Sequence, residues 1–215
     1  MSTFPGSPRL ISGALIAIDQ LTQLRDVVVF QYNPDTMTRK LDARAVSQEG
    51  DRGEATRLTG APKESITLSV EIDAADQLDQ NDAVASALGL HPTLAALELM
   101  LYPKSSMVVA NDVLSAIGTI EVIPIDGPMI LFVWGATRVL PVRLTSLSIT
   151  EEAYDPLLNP IRAKVDLALA VLSYQDLSLL DPARALFMAH HMTKELLANA
   201  NPFSKLSSLG ASLKL

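Results

Sequence analysis

Apolar and polar residues alternate with a period of two over several stretches of the chain. In SITLSVEIDA, residues 65–74, Ile66, Leu68, Val70, Ile72 and Ala74 alternate with Thr67, Ser69, Glu71 and Asp73, the pattern of a strand with one buried and one wet face. IRAKVDLALAV repeats it at greater length. There Ile161, Ala163, Val165, Leu167, Leu169 and Val171 share one face, and Arg162, Lys164 and Asp166 point the other way. Between them RVLPVRLTSLSIT, 138–150, keeps one phase through Val142 and Leu144 and the opposite phase through Leu147 and Ile149. One extra residue restores the facing, so a β-bulge is predicted near Thr145 and Ser146. Further strands are predicted at 10–18, 26–32, 37–44, 119–123 and 129–134, with a tight turn at 126–128. Strands follow one another through turns and loops rather than regular helical crossovers, which predicts antiparallel pairing.

Where VVVFQYNP, residues 27–34, breaks off, the chain must turn. Pro34 has no N–H and pushes Asn33 out of the α region, while the Asn33 side chain is suited to bond its own downstream backbone. Phe30 is expected in the core. Two helices carry boundary signals. In HPTLAALELMLYP, Pro92 suits a first helical turn, Leu94, Leu97 and Leu101 form a stripe, and Pro103 ends the run, predicting a helix over 92–101 that plugs an open end of the sheet. In DPARALFMAHHMTKELLANANP, Asp181 is an N-cap, Pro182 the first helical residue, and Asn199 to Pro202 the stop, predicting a helix over 182–198 on the outside of the sheet. SQEGDRGEATRLTGAP, 47–62, is polar and glycine-rich and reads as a long hairpin arm. The tail 201–215 mixes serine and leucine without a stripe and reads as weakly ordered unless a partner holds it. The expected division is therefore a β domain over 1–180, a packed helix over 181–200, and a tail over 201–215.

Composition narrows the function classes. With 215 residues and 48% hydrophobic content the chain can bury a sizeable core. The absence of cysteine excludes disulfides and thiolate metal sites. A formal charge of −7 and an aromatic content of 5% argue against a phosphate-tracking or base-stacking nucleic-acid binder. The most apolar window, PMILFVWGA, is shorter than the roughly 20 residues of a membrane-spanning helix, and no secretory signal pattern opens the sequence, so no direct membrane insertion is expected.

Catalytic chemistry is sought and not found. No nucleophile elbow, phosphate-binding glycine loop, dinucleotide fingerprint or H-E-x-x-H zinc motif occurs. His190 and His191 are adjacent, project about 100° apart on a helix and cannot share a metal from that element. Asp73, Asp76 and Asp79 lack the ligand count and glycine of a calcium loop and read as a solvated turn. The lone Trp134 reads as packing. No catalytic, metal-binding or cofactor-binding residue is assigned, and no enzyme activity is expected.

The order of FQYNP, GAPKESITLSVEIDA, HPTLAALELMLYP, ILFVWG and RLTSLSITEEAYDPLLNPIRAKVDLAL resembles the tube-like domain of contractile injection system baseplate proteins, over about residues 20–175. The resemblance implies a mainly β fold with two or three helices, an antiparallel barrel or sandwich of the phage tail-tube type. It also implies a structural role: a ring, expected to be hexameric, joining the inner tube to the spike or baseplate, assembled in a bacterial cytoplasm and then carried in the particle. The implied partners are further copies of the chain and the tube, spike and baseplate proteins, with no nucleic acid. The peptidoglycan-binding LysM module that often follows in that family has no counterpart after the helix at 182–198, which favours a tube or adaptor role. A main-tube or tube-terminating cap subunit is the alternative within the class, and a small-ligand-binding β-barrel or unrecognised hydrolase is the alternative outside it. On this reading the interface residues are Tyr32 and Asn33 at the corner, Glu49, Asp51, Arg52, Glu54 and Arg57 on the arm, Tyr154 at the hairpin, Lys164 on the polar strand face and Phe203 in the tail.

Overall fold

The computed structural model describes residues 12–18, 25–44, 58–116 and 127–200. The strand predicted at 119–123, most of the arm and the whole tail lie outside these residues, as do Glu49, Asp51, Arg52, Glu54, Arg57 and Phe203. The strands are β1 (Ala14–Ile18), β2 (Arg25–Val29), β3 (Met37–Asp42), β4 (Lys63–Asp73), β5 (Met129–Val133), β6 (Val139–Tyr154) and β7 (Pro160–Val171). They form one antiparallel sheet in the order β2-β1-β5-β6-β7-β4-β3. Helices α1 (Ala75–Asp79), α2 (Ala83–Leu88), α3 (His91–Leu99) and α4 (Ser105–Ala116) connect β4 to β5, and α5 (Pro182–Asn199) follows β7. The fold is mainly β and antiparallel, as the alternation predicts; α1, α2 and α4 are additions to the two helices read from the sequence.

The sheet is strongly curled. The Asp73 N–H, at the end of β4, donates to the Gln31 Oε1 just beyond β2 at 2.9 Å. Five strand spacings separate β2 from β4, about 24 Å in a flat sheet. One short hydrogen bond across that interval requires the sheet to roll back on itself. The inner face then encloses a core in which Leu15, Phe30, Ile66, Val70, Phe132, Leu140, Val165 and Leu169 are fully buried. Each such side chain contributes about 1.5–3 kcal/mol of transfer free energy.

The bulge in β6 falls where the phase change places it. Register with β7 shifts between Leu144 and Ser146, and the Thr145 hydroxyl donates to the Ala168 carbonyl at 2.9 Å. Leu144 opposite Leu169 and Leu147 opposite Leu167 thereby remain on the core side. Further shifts near Ala153 bend the far end of the strand.

Helix α3 sends Leu94 and Leu97 into the core and lies against β2. The predicted stripe fails at Leu101, which is 44% exposed because the helix ends at Leu99 and Met100 takes the buried position instead. Helix α5 starts as expected, with Asp181 Oδ1 accepting from the Ala183 N–H at 2.9 Å. It packs on β6, and Phe187 joins the core.

Candidate assembly interface

At residues 30–34 the chain is stitched to elements far away in sequence. The Phe30 N–H donates to the Gly13 carbonyl at 2.8 Å, and the Gly13 N–H donates to Asn33 Oδ1 at 2.9 Å. The expectation that Asn33 bonds its own downstream backbone is thus corrected in part: its carboxamide oxygen serves β1's approach, twenty residues upstream, where a backbone donor needs a partner. Only glycine fits at position 13, because a Cβ there would stand 2.7 Å from the Trp134 ring and 2.8 Å from Phe30. Phe30 is buried as predicted, while Tyr32 is 53% exposed on the outside of this corner.

The β6–β7 hairpin ends in a clasp. Asp155 Oδ1 accepts from the N–H groups of Leu157 and Asn159, and its Oδ2 from the Asn159 carboxamide. The Asn159 side chain and backbone donors hold the Asp155 carboxyl below the usual aspartate range. Leu158 is forced to a positive φ of 66°. The tip is also anchored, since the Leu90 N–H donates to the Pro160 carbonyl at 2.8 Å and the Asn159 carboxamide reaches the Ala87 carbonyl. Gly89, at φ 55°, permits this approach: a Cβ there would lie 2.4 Å from the Pro160 oxygen. The rigid tip presents Leu157 and Leu158 at 77% and 76% exposure.

Tyr154 adjoins the tip and is half exposed; its bond to Glu151 pushes the phenol up. Lys164 stands on the outer face of the sheet, in register with Glu71 on β4 and Thr150 on β6. Next to it Thr38, Thr67, Ser146, Ser148 and Asp166 border an open, shallow depression of hydroxyls with no cluster of catalytic groups. Asp73, predicted as part of a solvated turn, instead pairs with Arg162 at 2.8 Å and accepts from the Ala75 N–H. Burial raises its carboxyl, but these donors outweigh it and leave it lowered. Among the described residues no group of histidine and carboxylate side chains could hold a metal ion, and no helix is long and apolar enough to cross a membrane.

Sequence reasoning missed α4. SSMVVANDVLSA has no clear polar face, and none of its residues is buried; Val108, Val109 and Val113 are exposed. Like the tip, it sets apolar side chains in solvent, as do Leu179 and Leu180 before α5. The described candidates do not converge on one pocket: Tyr32 and Asn33 mark the corner, Tyr154 the hairpin, and Lys164 the outer sheet face.

No family model matches the sequence, and no curated protein matches it. Among solved structures, the chain is similar to a chain in the virion of a native gene transfer agent particle, with 12% identity and a TM-score of 0.29 over 74% of this chain and 90% of that one. A chain in the C6-symmetric tail of an empty gene transfer agent particle gives 14% identity and a TM-score of 0.28 at the same coverages. Likenesses this loose carry no weight for role or partners.

Proposed function

We propose that the chain is a structural subunit of a phage-tail-like contractile injection particle, forming a ring that joins the inner tube to the spike or baseplate. The observation that carries this reading is that the fold holds apolar side chains out in solvent on ordered elements, the clasped Leu157–Leu158 tip and the valine-bearing α4 among them. A lone subunit gains nothing from holding two leucines rigidly in water, whereas a preorganised apolar projection lowers the ordering cost of docking. The order of sequence segments described above supplies the kind of particle. Tyr32, Tyr154 and Lys164, and on the arm Glu49, Asp51, Arg52, Glu54 and Arg57, are proposed to meet neighbouring chains, with Phe203 in the tail.

Mass measurement and negative-stain imaging of the protein, alone and with the tube and spike proteins of the same particle, test the proposal. Rings or co-complexes are expected. A protein that stays monomeric at every concentration and joins no component overturns it. Deleting 49–57 is expected to spare folding and impair ring formation, and truncation at Asn201 to weaken binding of a neighbour; assembly at wild-type efficiency removes those segments from the interface.

A further inference from the structure

Helix α5 is apolar on two opposite sides. Its inner side is fixed along its length: Ala183 and Phe187 are buried, the His190 Nδ1 lies 3.3 Å from the Thr137 carbonyl, and Lys194 donates to Glu64 Oε2 at 3.2 Å. The Glu64 carboxylate, on β4 and only 4% exposed, also accepts from the Arg39 Nε of β3 at 2.8 Å. Burial raises that carboxyl, but Arg39 and Lys194 outweigh it and leave it lowered. With attachments spread from Ala183 to Lys194, α5 cannot roll to bury its other side. At about 100° per residue, Ala185, Met188, Ala189, Met192 and Leu196 fall in a stripe about 120° wide, turned away from Phe187 and His190. All five are exposed, Met192 at 56% and Leu196 at 70%, and no charged residue interrupts them; Arg184, His191 and Glu195 line one flank. A helix at the surface of a domain turns a polar face to water, whereas one that is apolar on opposite sides is an element covered on both. No described residue covers this stripe.

We propose that residues 201–215 of the same chain fold back over α5 and cover it. Place, length and chemistry select this occupant. The tail begins where the stripe ends, just beyond Leu196, and its tether holds it at an effective concentration that no separate partner has. From Ala200 back to Met188 is about 18 Å along the helix axis, and the fifteen residues of the tail reach about 50 Å when extended, enough to cover that distance after a reversal. Asn201-Pro202 is a turn-initiating pair at the point where the reversal is needed. Phe203, Leu206, Leu209, Leu213 and Leu215 supply the apolar surface. The only charges of the tail, Lys205 and Lys214, complement Glu195 on the flank and the negative end of a helix whose last turn has no basic residue. The seating is a property of the single subunit and stands whether or not rings form; a neighbour that contacts Phe203 meets a tail already on α5.

The test uses the full chain. It has no cysteine, so Ser207→Cys gives a single attachment point for a nitroxide, and the ε-methyl NMR signals of Met188 and Met192 are compared before and after the nitroxide is reduced. Both signals are expected to lose most of their intensity with the nitroxide intact and to regain it on reduction. The loss is expected to disappear when Leu206→Ser and Leu209→Ser are added; a loss that persists there reflects the tether alone and overturns the docking. A mixture of methyl-labelled protein without nitroxide and nitroxide-bearing protein without methyl label is expected to show no loss. A loss in that mixture seats the tail on a second copy and overturns docking within one chain. Signals unaffected in every sample also overturn the proposal and leave the stripe to another occupant, residues 117–126 or a separate protein.

Discussion

Truncating Leu167 to alanine probes whether the alternation in β7 defines the core. Leu167 is 2% exposed, faces Leu68 on β4 and Leu147 on β6 in register, and lies within the contiguous core. Removing three carbons forfeits about 2.4 kcal/mol of transfer free energy at roughly 0.8 kcal/mol each. The cavity adds to this, but Leu147 is half-buried and can relax towards it, so the total stays near the lower part of the usual range, about 3 kcal/mol. That is a change of roughly 150-fold in the unfolding equilibrium and a fall of about 6–12 °C in Tm for a chain of this size. Urea unfolding followed by fluorescence of Trp134, the only tryptophan, reads it directly, because the indole stacks on the buried Phe132 at 5.8 Å. A loss below about 1 kcal/mol with an unchanged slope would show that Leu167 is not held in a packed interior. The contrasting change Lys164→Glu, one face away and opposite Glu71, is expected to cost only about 0.2–1 kcal/mol through like-charge pairing, measured in the same way.

Gly13→Ala drives a methyl group into Trp134 and Phe30 and is expected to cost about 1–3 kcal/mol in the same denaturation assay; a neutral result would mean the corner is not packed as described. Glu64→Gln leaves Arg39 and Lys194 without their carboxylate and is expected to cost about 2–3 kcal/mol at pH 7, less than for a fully enclosed pair because both cations keep access to water. The folded Glu64 carboxyl is lowered, so its stabilisation is present above the unfolded value of about 4.3 and is lost as pH falls through the folded one. The gap between wild type and variant is therefore expected to narrow in acid, and a gap that widens there contradicts the pairing. Replacing Leu157 and Leu158 together by serine is expected to leave Tm unchanged but shift sedimentation towards smaller species, and unchanged sedimentation removes the tip from the interface.

The strands were legible because each half-buried strand writes its facing into alternate residues. Even the bulge at Leu144–Ser146 could be read, since a change of phase has no other economical explanation in one strand. Helix α5 was legible from its cap, Asp181 followed by Pro182. Helix α4 was not: Met107, Val108, Val109, Val113 and Leu114 give no polar face, and the helix buries no residue that would impose one. Asn33 and Gln31 hid their partners because Gly13 and Asp73 lie 20 and 42 residues away, beyond any local rule. The Glu64 cluster was hidden for the same reason, its Arg39 and Lys194 contacts spanning 25 and 130 residues. The turn residues between Tyr154 and Pro160 read as a stiffened strand–loop–strand tip, but the means, Asp155 accepting three bonds at once, came only from the structure.

The sheet order β2-β1-β5-β6-β7-β4-β3 leaves two different strands at its margins among the described residues. One margin carries the outward valines Val27 and Val29; the other carries Lys40 and Leu41. Such a subunit has handed ends, like a tile with unlike borders, and cannot pair with itself margin to like margin without abandoning the complementary one. Copies joined through both margins repeat head to tail. In the ring proposed above, the turn made at each such joint would decide between a closed circle and an endless spiral, and the curl that the Gln31–Asp73 bond spans would feed into that turn.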